Sequence, residues 1–277
     1  MKTSVTMVSV GRYFEENKID IEGFIRFCRD IEVDGVDLCE YYWKDKKAET
    51  KRIPLWLKEN NLALSVFAIG NEFTVTTAME MKKQVDYVKH GIDTALRIGV
   101  DKVRIFGGYH YGKPRGGYMD KVEEGIEKCL PYTEKNQVTL ALENHGDMPG
   151  TSKEILEIIE KFKSPYLKCT LDIGNFIYDN MAEKEDPISA TKNLVDYTIH
   201  CHVKDFRYSE NKNSKLESCV IGEGIVPVKD CLKVLKDYNY KGYISLEFEG
   251  SKTVDDLVGI KRSIQHIKKI IKRLSKP

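Results

Sequence analysis

Short apolar runs alternate with longer amphipathic runs along the whole chain. The short runs are Ser4–Val10, Gly35–Cys39, Ala63–Ala68, Lys102–Phe106, Val138–Leu142, Lys168–Leu171, Thr198–Val203 and Tyr243–Phe248. Their length and composition predict buried strands. In the stretches between, apolar residues recur every three or four positions, which predicts helices. Ile19–Asp30 sets Ile21, Phe24, Ile25 and Cys28 on one face. Met79–Ile98 does the same with Val85, Val88, Ile92, Ala95 and Leu96. Val122–Glu134, Ser152–Phe162, Ile188–Tyr197, Val228–Tyr238 and Thr253–Leu274 follow the same period. Punctuation agrees with these divisions. Thr151-Ser152 follows Pro149-Gly150 and supplies a hydroxyl cap, Asp186-Pro187 opens the next helix, and Asn239 and Gly242 close the one after.

A strand followed by a helix, repeated eight times, predicts a parallel sheet with crossover helices. Eight such units in 277 residues predict closure into an α/β (β/α)8 TIM barrel, a fold of about 250 residues. An open doubly wound sheet fits less well. It takes fewer strands, and Gly11-Arg-Tyr-Phe14 stands where a Gly-x-Gly-x-x-Gly turn would follow the first strand. No low-complexity segment breaks the chain, so residues 1–277 are read as one domain.

Four acceptor side chains stand at the ends of the last four short runs: Glu143, Asp172, His202 and Glu247. In a parallel barrel the C-terminal strand ends form one mouth, where active sites are built. Alternate residues face the interior. Glu143 therefore shares a face with Ala141, Asp172 with Thr170, His202 with His200, and Glu247 with Ser245. Ionisable groups converging on such an interior must be paired or bind a cation. Three carboxylates and an imidazole make a divalent metal site of hard-to-intermediate character, with Mn, Mg, Co and Zn all open.

Charge changes the picture by exclusion. The 44 basic and 43 acidic residues nearly cancel, without the basic excess of a nucleic-acid binder. No apolar run approaches the roughly 18 residues of a membrane span, and Met1–Val10 lacks the pattern of a secretory leader. The seven cysteines are odd in number, form no Cys-x-x-Cys pair, and fall mostly inside strand or helix patterns. A reducing, cytoplasmic setting is expected, with no nucleic-acid or membrane partner. The last helix, with Leu257, Ile260, Ile264, Ile267 and Ile271, leaves a homo-oligomer open.

The segments Leu142-Glu143-Asn-His-Gly146, Leu171-Asp172-Ile-Gly-Asn175, His200-Cys-His202-Val-Lys-Asp205 and Leu246-Glu247-Phe-Glu249 resemble the sugar phosphate isomerase/epimerase family. That family has the xylose isomerase-like TIM barrel. It includes ketose 3-epimerases, hydroxypyruvate isomerase, inosose isomerases and dehydratases, and the endonuclease IV enzymes. The resemblance implies metal ligation by Glu143, Asp172, His202 and Glu247, with His202 matching the ligand position three before Asp205. It implies a small sugar or polyol-derived substrate and an enediolate chemistry in which Glu143 and Glu247 carry the proton. The expected activity is isomerase or epimerase. A dehydratase acting on an inosose or a dehydroshikimate-like ring is the alternative, and an endonuclease IV-like AP endonuclease is a more distant one. Asn175 replaces a histidine of the endonuclease branch, and the Gly222-Glu-Gly224 loop lacks its Asp-x-His pair. Both departures point away from a three-metal nuclease.

Substrate contacts are expected from His145, Lys204, Asn71 and Arg207. Phe73, the Glu40-Tyr-Tyr-Trp43 segment, and the loop with Tyr109, His110, Tyr111, Lys113 and Arg115 also follow strand ends. His200, one layer below His202, is expected to support it.

Overall fold

The eight apolar runs close on themselves. The computed structural model describes residues 1–109, 117–177, 184–209, 215–251 and 253–275. Strands β1 (Lys2–Thr6), β2 (Gly35–Cys39), β3 (Ala63–Ala68), β4 (Lys102–Ile105), β5 (Thr139–Glu143), β6 (Leu167–Asp172), β7 (Thr198–Val203) and β8 (Tyr243–Leu246) form a closed barrel. Each strand pairs in parallel with its neighbours in sequence, and β8 pairs with β1. Crossover helices make this order possible: α1 (Ile21–Asp30), α2 (Lys46–Glu59), α3 (Ala78–Ile98), α4 (Tyr118–Asn136), α5 (Ser152–Phe162), α6 (Pro187–Leu194) and α7 (Val228–Asp237), with α8 (Asp256–Leu274) after the last strand.

The predicted caps are present. Thr151 and Glu154 form a reciprocal capping box at α5, and the Asp186 side chain accepts from Ser189 N ahead of Pro187. Asn239 takes a left-handed φ of 64° just past α7. All seven cysteines are unpaired and buried, as small apolar residues would be.

Three features depart from the sequence expectation. The first strand ends at Thr6, and Met7–Val10 turns into a 3-10 helix. Ser9 explains the turn: its hydroxyl donates to Leu246 O (3.1 Å) and accepts from Phe248 N (2.9 Å), tying the chain to the end of β8. Helix α2 has no clear apolar period, because only Ile53, Trp56 and Leu57 are buried on it and Pro54 lies inside it. Asp45 nevertheless starts it, accepting from Lys47 N and Ala48 N. Finally, two antiparallel pairs decorate the loops. Gly108–Tyr109 pairs with Asp147–Met148, and Asp205–Tyr208 pairs with Leu216–Cys219. Both sit after strands whose ends carry candidate residues.

Candidate metal centre

Glu143 and Asp172 are the last residues of β5 and β6, His202 is the penultimate residue of β7, and Glu247 follows β8 directly. Strand register sets them side by side. Asp172 lies opposite His202, His202 opposite Ser245, and Glu143 opposite Thr170. One ligand atom from each of Glu143, Asp172, His202 and Glu247 lies within 4.8 Å of the others, and all four residues are buried. His202 Nδ1 lies 3.0 Å from Glu143 Oε1 and 3.1 Å from Glu247 Oε2.

Backbone braces fix these positions. The Asn144 amide donates to Asp172 O (2.8 Å) and accepts from Asp172 N (2.9 Å), locking the end of β5 to that of β6. Asn175 Nδ2 donates to Asn144 O (2.9 Å). Asp172 Oδ1 accepts from Gly174 N (2.8 Å) and Asn175 N (3.0 Å). Its other oxygen, Oδ2, accepts no hydrogen bond among the described residues and points at Lys204 Nζ, 3.0 Å away. Three carboxylate oxygens and one imidazole nitrogen so confined have the chemistry to hold a divalent cation.

Lys204 is almost fully buried within this carboxylate group. Its Nζ lies 2.7 Å from Glu249 Oε1 and 3.5 Å from Glu247 Oε1. The close passage of its aliphatic stem requires a glycine beneath it, since a Cβ at Gly174 would lie 2.4 Å from Lys204 Cγ. Burial works against the lysine charge, but Asp172, Glu247 and Glu249 hold its pKa well above the ordinary value.

The carboxylates divide by environment. Burial pushes Glu143 up, yet the Arg104 guanidinium and then His202 bring its carboxyl down to about 2. Burial pushes Glu247 up as well, and Lys204 and His202 hold it well below the carboxylate range. For Asp172 burial wins over Lys204, and the carboxyl rises to about 7. His202 is driven down by burial but held well above the ordinary imidazole value by Glu143, Asp37 and Glu247. His145 moves the other way: burial outweighs the pull of Glu143 and lowers it to about 4, so its imidazole is neutral near pH 7.

Four of the residues expected at the site converge as described, and Lys204 joins them. His145 stacks on Phe106 with ring centres 4.4 Å apart, and its Nδ1 lies 3.4 Å from Asn175 Nδ2. Asn71 is buried, and its amide both donates to Phe106 O (2.6 Å) and accepts from Phe106 N (3.0 Å), so it braces β3 against β4. Arg207 lies on the added hairpin, where its guanidinium meets Glu217 (2.8 Å) and Thr253 (3.3 Å). Phe73 is fully buried against Gly125, and Tyr42 stacks on Phe14. His110, Tyr111, Lys113 and Arg115 lie outside the described residues.

Two buried residues at the centre escaped the sequence reading. Asp37 on β2 lies 2.7 Å from His202 Nε2 and 3.1 Å from His200 Nε2. Arg104 on β4 has its Nε 3.2 Å from Glu143 Oε2. Each is a charge flanked by apolar residues within a strand run, Asp37 by Val36 and Leu38 and Arg104 by Val103 and Ile105, and that mismatch is the signal that marks them.

Asp205 has a structural task. Its carboxylate accepts from the backbone N–H of Phe206, Gly222, Gly224 and Val226 at 2.8–3.0 Å, which gathers the loop beside the mouth. Losing these charge-assisted bonds is expected to destabilise an Asp205→Ala variant by about 1.5–3 kcal/mol. Urea denaturation would measure the shift in midpoint.

The family model for the xylose isomerase-like TIM barrel matches residues 25–270. An inosose dehydratase of Clostridium perfringens is 27% identical over 139 residues, covering 46% of each protein. The chain thus spans about half the length of such curated relatives in its match. A D-tagatose 3-epimerase-like protein superposes with a TM-score of 0.77 at 18% identity, over 99% of this chain and 98% of that one. A probable 3-DHS dehydratase from Bacillus anthracis superposes with a TM-score of 0.72 at 17% identity, over 97% and 99% of the two chains.

Proposed function

The chain belongs to the xylose isomerase-like TIM-barrel family, and from that premise we propose that it is a divalent-metal-dependent isomerase or epimerase. Its substrate would be a sugar, a sugar phosphate or a polyol-derived ketone. The observation that carries this reading is the convergence of Glu143, Asp172, His202 and Glu247 within 4.8 Å. These four would hold one ion, with Mn, Mg, Co and Zn all compatible. When bound, the ion supplies Lewis-acid polarisation of a substrate carbonyl and charge neutralisation for the enediolate.

The chain's own groups do the rest. Glu247 is the most exposed of the three carboxylates, at 8% against 1% for Glu143 and 0% for Asp172, so it is the one closest to solvent at the mouth. It takes the proton from the carbon beside the carbonyl. Glu143, 3.0 Å from the same His202 Nδ1 that lies 3.1 Å from Glu247, would return a proton taken from solvent to the opposite face while Glu247 releases the one it took to water, or Glu247 delivers its own proton to the neighbouring carbon. His145 offers an uncharged hydrogen bond to a substrate oxygen, and Lys204 keeps a positive charge beside Glu247.

A dehydratase is the second reading, favoured by the inosose dehydratase among the relatives. It shares the proton abstraction and adds loss of a β-hydroxyl as water, which requires an acid; Lys204, which keeps its proton, is the group at hand. One assay separates the two. The full chain, loaded with manganese, is incubated in deuterium oxide with a panel of ketoses, aldoses and inososes, and products are read by mass. Deuterium uptake without loss of water is the expected result, and it should vanish on chelation and return with added metal. Loss of water would assign the dehydratase. Neither change with any substrate would overturn the proposed class.

A further inference from the structure

The barrel interior below the centre holds a charged residue that none of the four converging side chains accounts for. Asp37 is completely buried on β2, whose other residues are Gly35, Val36, Leu38 and Cys39. Both of its histidine neighbours use the same oxygen. His202 Nε2 lies 2.7 Å from Asp37 Oδ2 and His200 Nε2 lies 3.1 Å from it, with the two rings edge to face at 84°. A carboxylate oxygen only accepts, so each imidazole must present Nε2–H to it. Nε2 of His202 is thus engaged with Asp37, and the nitrogen whose proton a cation could displace is Nδ1. Nδ1 points the other way, to Glu143 Oε1 and Glu247 Oε2. The ring therefore joins a buried carboxylate on one side to a cluster of candidate metal donors on the other.

We propose that Asp37 is the positioning residue of this centre. By holding the Nε2 proton of His202 it sets the ring's orientation and leaves Nδ1 as the nitrogen offered to a divalent cation, while His200 donates to the same Asp37 oxygen. This inference rests on the metal-dependent reading of Glu143, Asp172, His202 and Glu247. It differs from a second cation site at Asp37, His200 and His202, whose donor atoms also lie close together. The 2.7 Å separation of His202 Nε2 from Asp37 Oδ2 is that of a charge-assisted hydrogen bond, and one imidazole cannot readily serve two cations. Partners of this kind typically change metal affinity by roughly 10–100-fold when removed.

Two measurements test it. Calorimetric titration of the metal-free full chain with manganese should show one ion per chain, and Asp37→Asn, which keeps the side-chain volume, should bind that ion roughly 10–100-fold more weakly. The second uses the wild type alone, so it decides the matter even if Asp37→Asn does not fold. In 15N-histidine-labelled protein, adding zinc should shift the Nδ1 resonance of His202 while Nε2 keeps its proton. Equal affinity in Asp37→Asn, coordination through Nε2, or two ions per wild-type chain with one lost in the variant would each overturn the inference and leave the four-residue centre standing. No manganese or zinc binding by the wild type would overturn both.

Discussion

A Glu247→Gln variant is expected to fold and to keep the divalent ion proposed for this centre, but to turn over roughly 10²–10⁴-fold more slowly, the range for removing a positioned acid/base group. Glutamine keeps an oxygen donor and the length of the side chain, so the change is confined to basicity. Position makes Glu247 the residue to test. It lies just past β8, it is the carboxylate closest to solvent, and His202 and Lys204 hold it ionised. A group ionised over the working pH range can accept a proton throughout it. Glu143, which faces Arg104 and His202, is the more buried of the two and the harder for a substrate to reach. Solvent-deuterium exchange into substrate isolates the first proton transfer, and metal analysis of the same sample shows whether the ion is retained. If kcat fell with loss of metal, Glu247 would be a ligand only. Full exchange activity in a metal-loaded Glu247→Gln protein would remove the assignment of proton carrier.

Periodicity made the barrel legible because strands buried on both faces read as continuous apolar runs, and of the eight helices α1–α8 that follow barrel strands all but α2 carry an apolar stripe. Helix α2 does not, since Lys46, Lys47, Lys51 and Arg52 keep most of it in solvent and Pro54 interrupts its period. The convergence of Glu143, Asp172, His202 and Glu247 was legible for a geometric reason. Equivalent ends of neighbouring parallel strands must meet at one mouth, so no side-chain detail is needed. What could not be read were partnerships across the interior. Asp37 and His202 are 165 positions apart, and nothing in either segment names the other. Asn71 shows the converse. It follows a strand, as a substrate contact would, yet the backbone of Phe106 uses both ends of its amide. Position along the chain puts a residue near the mouth, but its hydrogen-bond partners decide what it does there.

Arg104 offers the second large effect, this time on stability. The guanidinium is 4% exposed, faces Glu143 Oε2 at 3.2 Å, donates to Ile69 O at 3.2 Å, and lies over the Phe106 ring at 4.0 Å. Burial disfavours its charge, yet Glu143, Tyr41, Asp37 and Glu247 raise its pKa above the ordinary value. Removing one partner of such a pair leaves the other charge stranded, so Arg104→Met should destabilise the metal-free protein by roughly 3–5 kcal/mol. Methionine preserves the apolar stem, which assigns the loss to charge rather than to a cavity. Removing Glu143 as well should recover part of it, because Arg104→Met/Glu143→Gln no longer strands the carboxylate. Denaturation midpoints at unchanged slope would measure each difference. A loss of less than about 1 kcal/mol would place the pair with surface salt bridges and contradict its burial. The same variant also bears on the metal. Without Arg104 the four-residue cluster is one positive charge poorer, so a divalent ion should bind it more tightly. Manganese should then raise the melting temperature of Arg104→Met by more than that of the wild type, through the linkage of binding to folding.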